Sequence, residues 1–151
     1  MKTALHVLAL AIAAAGISTR VHGEPTPAGL WKTIDDDGKK EKSHVRILDA
    51  NGVLSGRIEK LLDAADKPDS VCEKCTDERK DQPVVGLTII RNVRANADSP
   101  GQWDGGDILD PKNGKVYRVR LKTVDDGRKL EVRGYVGAPL FGRTQTWIRV
   151  E

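Results

Sequence analysis

Cys72-Glu73-Lys74-Cys75 holds the two cysteines of this 151-residue chain. The spacing serves three chemistries: a local disulfide, a redox couple, or half of a metal site. A redox couple normally sets its first cysteine at a helix N-terminus beside a βαβ unit, which lowers the thiol pKa. No such pattern surrounds Cys72. A structural zinc site would need two more ligands, usually Cys or His, and His44 is the one histidine after residue 23. Asp69, Asp77 and Glu78 lie near the pair in sequence. The expectation is a disulfide between Cys72 and Cys75, with no metal and no cofactor.

Acid–base chemistry finds little material. No serine or cysteine comes with an evident base, and a single histidine removes the simplest arrangements. Asp104, Asp107 and Asp110 resemble a paired-acid site in spacing. Asp104 and Asp110 flank turns, however, where Asp bonds its own backbone. Asp35-Asp36-Asp37-Gly38 reads as a solvated acidic hairpin tip. The chain is therefore not expected to be an enzyme.

Recognition chemistry is better supplied. Arg57, Arg133 and Arg143 fall in strand-like segments, with Tyr117 and Tyr135 close by. Alternation puts Arg133 and Tyr135 on one face of their segment, opposite Val132, Gly134 and Val136. It likewise puts Arg143, Gln145 and Trp147 together, opposite Thr144, Thr146 and Ile148. Such polar–aromatic faces suit an amphiphile or a small anion, because an Arg meets a carboxylate with two hydrogen bonds. The opposite orientation, with the aliphatic set inside, fits the alternation equally well. Together with Trp31, the candidate ligand-binding residues are Arg57, Tyr117, Arg133, Tyr135, Arg143, Gln145 and Trp147.

The elements that must position these residues read at period two. Strands are predicted at Leu30–Ile34, Ser43–Leu48, Val53–Leu62, Val84–Val93, Gln102–Leu109, Lys115–Val124, Lys129–Val136 and Arg143–Val150. The tail from Ile58 to Ala65 also admits a short helix. Turn chemistry separates the strands: Asn51-Gly52 tolerates the positive φ of a tight hairpin, and Asp110-Pro111-Lys112-Asn113-Gly114 and Asp125-Asp126-Gly127 are equally explicit. No βαβ spacing appears. Nearly every connection is a local hairpin, which favours an antiparallel up-and-down eight-stranded barrel over a sandwich. Closure also removes exposed sheet edges.

Residues 1–23 carry a different signal. Lys2 precedes an almost wholly apolar run, Leu5 to Ile17, and a polar stretch ends at Gly23. This is the pattern of a cleaved export signal, too short to span a bilayer stably. The remaining chain, residues 24–151, has the size of one domain. Without Lys2 and Arg20, the 25 basic residues fall to 23, against 22 acidic ones. The charges are interleaved, and no basic stripe for nucleic acid is present. No later segment is apolar enough to cross a membrane after signal cleavage.

The segments that carry this reading resemble the DUF2147 family of small exported bacterial proteins. They are Gly29-Leu30-Trp31, Leu54-Ser55-Gly56-Arg57-Ile58, Pro83–Leu87, Trp103-Asp104-Gly105-Gly106, Ile108–Tyr117, Val132–Gly137 and Phe141–Trp147. The resemblance spans essentially all of residues 24–151. It implies an all-β, lipocalin-like (calycin-type) barrel and a periplasmic location, but no activity. Gly-x-Trp on a first strand is also similar to lipocalins, in which the Trp closes the barrel base under a basic residue of the last strand. Trp31 matches that ring, and either Arg143 or Arg149 matches its partner.

The function expected from the sequence is binding of a small hydrophobic or amphipathic molecule without chemical conversion. The alternative is a cell-envelope interaction module with a packed, ligand-free barrel, acting through a homodimer or an envelope protein partner.

Overall fold

The computed structural model describes residues 23–151. The expected export signal lies outside the described residues, apart from Gly23. Eight strands follow in chain order: β1 (Gly29–Ile34), β2 (Glu41–Ala50), β3 (Val53–Leu61), β4 (Thr88–Ala95), β5 (Gln102–Asp110), β6 (Lys115–Val124), β7 (Lys129–Tyr135) and β8 (Gly142–Arg149). Each pairs antiparallel with the next, and β8 returns to β1, closing the barrel. The expected up-and-down barrel is the observed fold.

The turns form where their residues permit. Asn51 and Gly52 both adopt positive φ, 54° and 82°, the conformation that a two-residue hairpin requires. Asp49 Oδ1 accepts the Gly52 N–H at 2.7 Å and fixes that turn. Ile58–Leu61 is strand, not helix. Ile58 pairs with Val45 and Lys60 with His44, which leaves Glu59 as the extra residue of a bulge. The bulge resets the alternation, so both Ile58 and Leu61 face inward.

One strand begins later than expected. β4 starts at Thr88 rather than Val84. Gly86 takes φ 93°, and the Gly86 N–H and Leu87 C=O bond the two sides of Ile58 in place of a regular ladder. Val84 and Leu87 become anchors of the long connection, residues 62–87. Cys72, Cys75, Val84 and Leu87 pack in the buried core cluster with Ile89 of β4 and Leu109 of β5. Cys72 and Cys75 form a disulfide. Arg79, 4% exposed, donates to both Asp77 oxygens and to the Thr88 carbonyl. The turn at Gly114 meets this connection so closely that a Cβ there would stand 1.8 Å from the Lys74 carbonyl oxygen.

The main core fills one end of the barrel. Trp31, Val45, Ile47, Leu54, Ile90, Val93, Val119, Leu121 and Leu130 are all but inaccessible. Burying each such side chain contributes roughly 1.5–3 kcal/mol. The β2–β3, β4–β5 and β6–β7 turns lie at this closed end. The β1–β2, β3–β4, β5–β6 and β7–β8 connections surround the other end.

Candidate functional site

The closed end is sealed by Trp31 and Arg149. The Arg149 guanidinium carbon lies 4.1 Å from the Trp31 ring centroid. Arg149 also donates to the carbonyls of Gly127, Ala28 and Thr26 at 2.5, 2.9 and 2.7 Å. Trp31 Nε1 donates to the Pro27 carbonyl at 2.7 Å. Residues 25–28 thus strap the base, and Thr123 Oγ1 ties down Pro25. Burial lowers the Arg149 pKa from its ordinary value. Of the two arginines matching the basic partner of Trp31, the structure selects Arg149.

Above this plug lies a cavity of about 790 Å³, open at the other end. Its walls carry Ile58, Leu61, Ile108, Tyr117, Val132 and Trp147, with Thr33 and Ser43 as polar neighbours. Thr33 Oγ1 and Ser43 Oγ are 2.9 Å apart and satisfy each other. Gly134 leaves the wall open beside Tyr117, where an added Cβ would make only ordinary contact at 3.6 Å. Asn113 donates to the Tyr117 hydroxyl at 3.1 Å.

The inward face of β8 supplies a polar line. Trp147 Nε1 donates to Gln145 Oε1 at 3.1 Å. That contact turns the Gln145 amide nitrogen toward the mouth, where it donates to Asp36 Oδ1 at 2.7 Å. Arg143 donates to the other oxygen, Asp36 Oδ2. Asp36 comes from the β1–β2 turn, more than a hundred residues away. Sequence reasoning read it as a solvated tip, and no local signal links it to β8.

A second charged group borders the mouth. Lys42 donates to Asp63, whose carboxyl pKa is lowered to about 2 by that ammonium and by the Ala65 N–H. Lys112 lies beside Lys42, and the adjacent ammonium together with burial lowers its pKa. Lys42 shifts upward, chiefly through Asp63. These lysines went unnoticed in the sequence because each sits among ordinary surface charges.

The structure brings together Tyr117, Arg143, Gln145 and Trp147 on the cavity wall. Trp31 is at the base, fully buried beneath the core, and does not reach the cavity. Arg57 points outward, since its neighbours Gly56 and Ile58 are the buried ones. Val132 and Gly134 take the inward positions of β7, so Arg133 and Tyr135 fall on its outer side. Arg133 donates to the carbonyls of Pro139 and Leu140 and braces the β7–β8 hairpin. Tyr135 borders a smaller cleft of about 280 Å³ near Phe141. Cys72 and Cys75 are buried within the long connection.

No curated protein matches this chain. Among solved structures, its fold is similar to that of a protein described as "Protein HP1028 from the human pathogen Helicobacter pylori belongs to the lipocalin family", with a TM-score of 0.70. Identity is 19%, over 84% of each chain, so the likeness is one of fold. None of the described residues forms a helix long and apolar enough to cross a membrane. Residues 29–149 match the family described as "Uncharacterized protein conserved in bacteria (DUF2147)", and the chain belongs to that bacterial family, built as a lipocalin-like barrel.

Proposed function

We propose that this protein is an exported, periplasmic binding protein that takes one small hydrophobic or amphipathic molecule into its barrel and releases it unchanged. The observation that carries this reading is the cavity of about 790 Å³, which lies above the core and the Trp31–Arg149 plug of the closed end and is open at the other. Its volume falls within the roughly 300–1,000 Å³ of small-molecule pockets. Apolar walls would hold a hydrophobic body, and the Arg143–Gln145–Trp147 line would meet a polar head. The disulfide fits an oxidising compartment such as the periplasm.

Mass spectrometry of organic extracts from protein purified gently out of its native envelope tests the reading. A co-purifying small molecule is expected from wild type and absent from Val132→Trp, which fills the cavity. Repeated absence from wild type, with no probe entering the cavity, would overturn it.

A second reading draws on the β7–β8 hairpin, where Val136, Leu140 and Phe141 are exposed, Leu140 at 80%. Clustered apolar tips mark contact surfaces, here for a cell-envelope protein or a second copy of the chain. Light scattering that shows a stable dimer, lost in Leu140→Asp, would favour it over binding in the barrel.

A further inference from the structure

We propose that Arg143 and Gln145 form a carboxylate-recognition site at the cavity mouth, that Asp36 occupies it as a resident substitute, and that the carboxylate of an anionic amphiphile displaces Asp36. The inference rests on the cavity-binding reading above and names the head group of its ligand.

The two inward arginines of β8 are used differently. Arg149 spends its donors on four backbone carbonyls and its face on Trp31. Nothing in that arrangement can exchange without opening the base. Among the described residues Arg143 is hydrogen-bonded to Asp36 alone, and its side chain is 72% exposed. Charge-assisted bonds to a carboxylate are strong and directional, but at this exposure solvent competes and the contact is exchangeable.

The site is preorganised. Trp147 holds the Gln145 carbonyl oxygen, so the amide nitrogen must face the carboxylate. Arg143 and Gln145 then offer one donor to each oxygen. The same strand places Trp147 deeper in the cavity, and Val132, Ile58 and Ile108 line the walls beside it. A carboxylate at the Asp36 position can therefore extend an apolar chain directly into the barrel.

Asp36 is also the acid of its turn that the turn does not need. Asp35 accepts the N–H groups of Lys39 and Lys40, and Asp37 accepts that of Lys39. Those bonds shape the hairpin. Asp36 alone reaches across to β8.

The reach bridges the weakest seam of the barrel. β1 and β8 share only two registered pairs, Trp31 with Arg149 and Lys32 with Ile148, both toward the closed end. Above them no ladder joins Ile34 to Arg143, and the Asp36 bonds take its place. Displacing Asp36 frees the β1–β2 turn to swing from the mouth and leaves the base intact. The Lys42–Lys112 pair is a poorer head-group site, because the Lys42–Asp63 contact is shielded, with side chains 18% and 14% exposed, and exchanges less readily than the open Arg143–Asp36 contact.

The test is equilibrium fluorescence titration of the purified protein with cis-parinaric acid and with its methyl ester, which share one chain and differ in charge. Asp36→Asn should raise affinity for the acid by about fivefold or more, since a neutral competitor holds the site less well. Arg143→Gln should lower it by about fivefold or more. Ester binding should change in the same variants by a clearly smaller factor, because the ester offers Arg143 no charge. Near-UV circular dichroism of each variant confirms the fold. Equal responses of acid and ester, or no gain from Asp36→Asn, would overturn the assignment and leave cavity binding standing. Failure of both probes to bind wild type and variants alike would overturn both.

Discussion

Arg149 lies over the ring of Trp31, 4.1 Å from its centroid, and joins the last strand to the first. The contact does more than cover an aromatic face. Its guanidinium also gathers three carbonyls of the N-terminal strap and the β6–β7 turn. One side chain thus contributes at once to barrel closure, to the plug at the base and to the position of residues 25–28.

Arg149→Ala should therefore destabilise the protein by about 2–4 kcal/mol, combining a cation–π contact with carbonyls left without donors. Arg149→Lys should restore part of the loss, having charge but no planar fork. Urea denaturation followed by tryptophan fluorescence measures both. A loss below about 0.5 kcal/mol in the alanine variant would show that the base does not need this residue.

Acid should weaken the fold through two ion pairs whose carboxylates lie in the long connection. Asp63 and Asp77 have carboxyl pKa values lowered to about 2, by Lys42 and by Arg79 respectively. An unfolded Asp titrates near ~3.9. The folded pKa is the lower one, so each pair's stabilisation is fully present above the unfolded value. It is lost as pH falls toward about 2. Asp63→Asn and Asp77→Asn should be less stable than wild type at pH 7 and converge with it near the acid limit. Denaturant midpoints measured across that range decide the matter, and a constant gap at every pH would refute the assignment.

Gly114→Ala should dislodge the long connection from the β5–β6 turn. Gly114 has φ 71°, and its Cβ would stand 1.8 Å from the Lys74 carbonyl oxygen. Moving that backbone should cost about 2–4 kcal/mol or release the segment locally. Hydrogen exchange at Cys72, Cys75 and Val84 should then accelerate while exchange in β6 and β7 holds. Unchanged protection of the connection would contradict the packing argument.

The disulfide should matter less than its burial implies. Cys72 and Cys75 are separated by three positions, so the loop they close removes little entropy from the unfolded chain. Replacing both cysteines by alanine should cost roughly 2 kcal/mol or less, read as a small fall in Tm. A collapse of the whole fold would mean that the sulfurs are essential to the packing around Val84 and Leu109.

Much of the barrel was legible because its signals are local. Asn51-Gly52 and Asp125-Asp126-Gly127 write their own turns, and Tyr117, Val119 and Leu121 declare a face by alternation. The start of β4 was not legible, because Val84–Leu87 is as apolar as a strand. Only its packing beneath the disulfide connection makes it a turn. β7 was ambiguous for a related reason. Arg133 and Tyr135 alternate with Val132, Gly134 and Val136, and either set could have lined a cavity.

The sequence by itself determined the strand count, the hairpins and the matched faces of each strand, since these depend on neighbours a few residues apart. Tertiary structure decided which faces turn inward, that Arg149 rather than Arg143 covers Trp31, and that Asp36 meets Arg143 and Gln145. Those relations join residues more than a hundred positions apart. They arise only when β8 closes on β1, because closure brings together side chains that no local pattern couples.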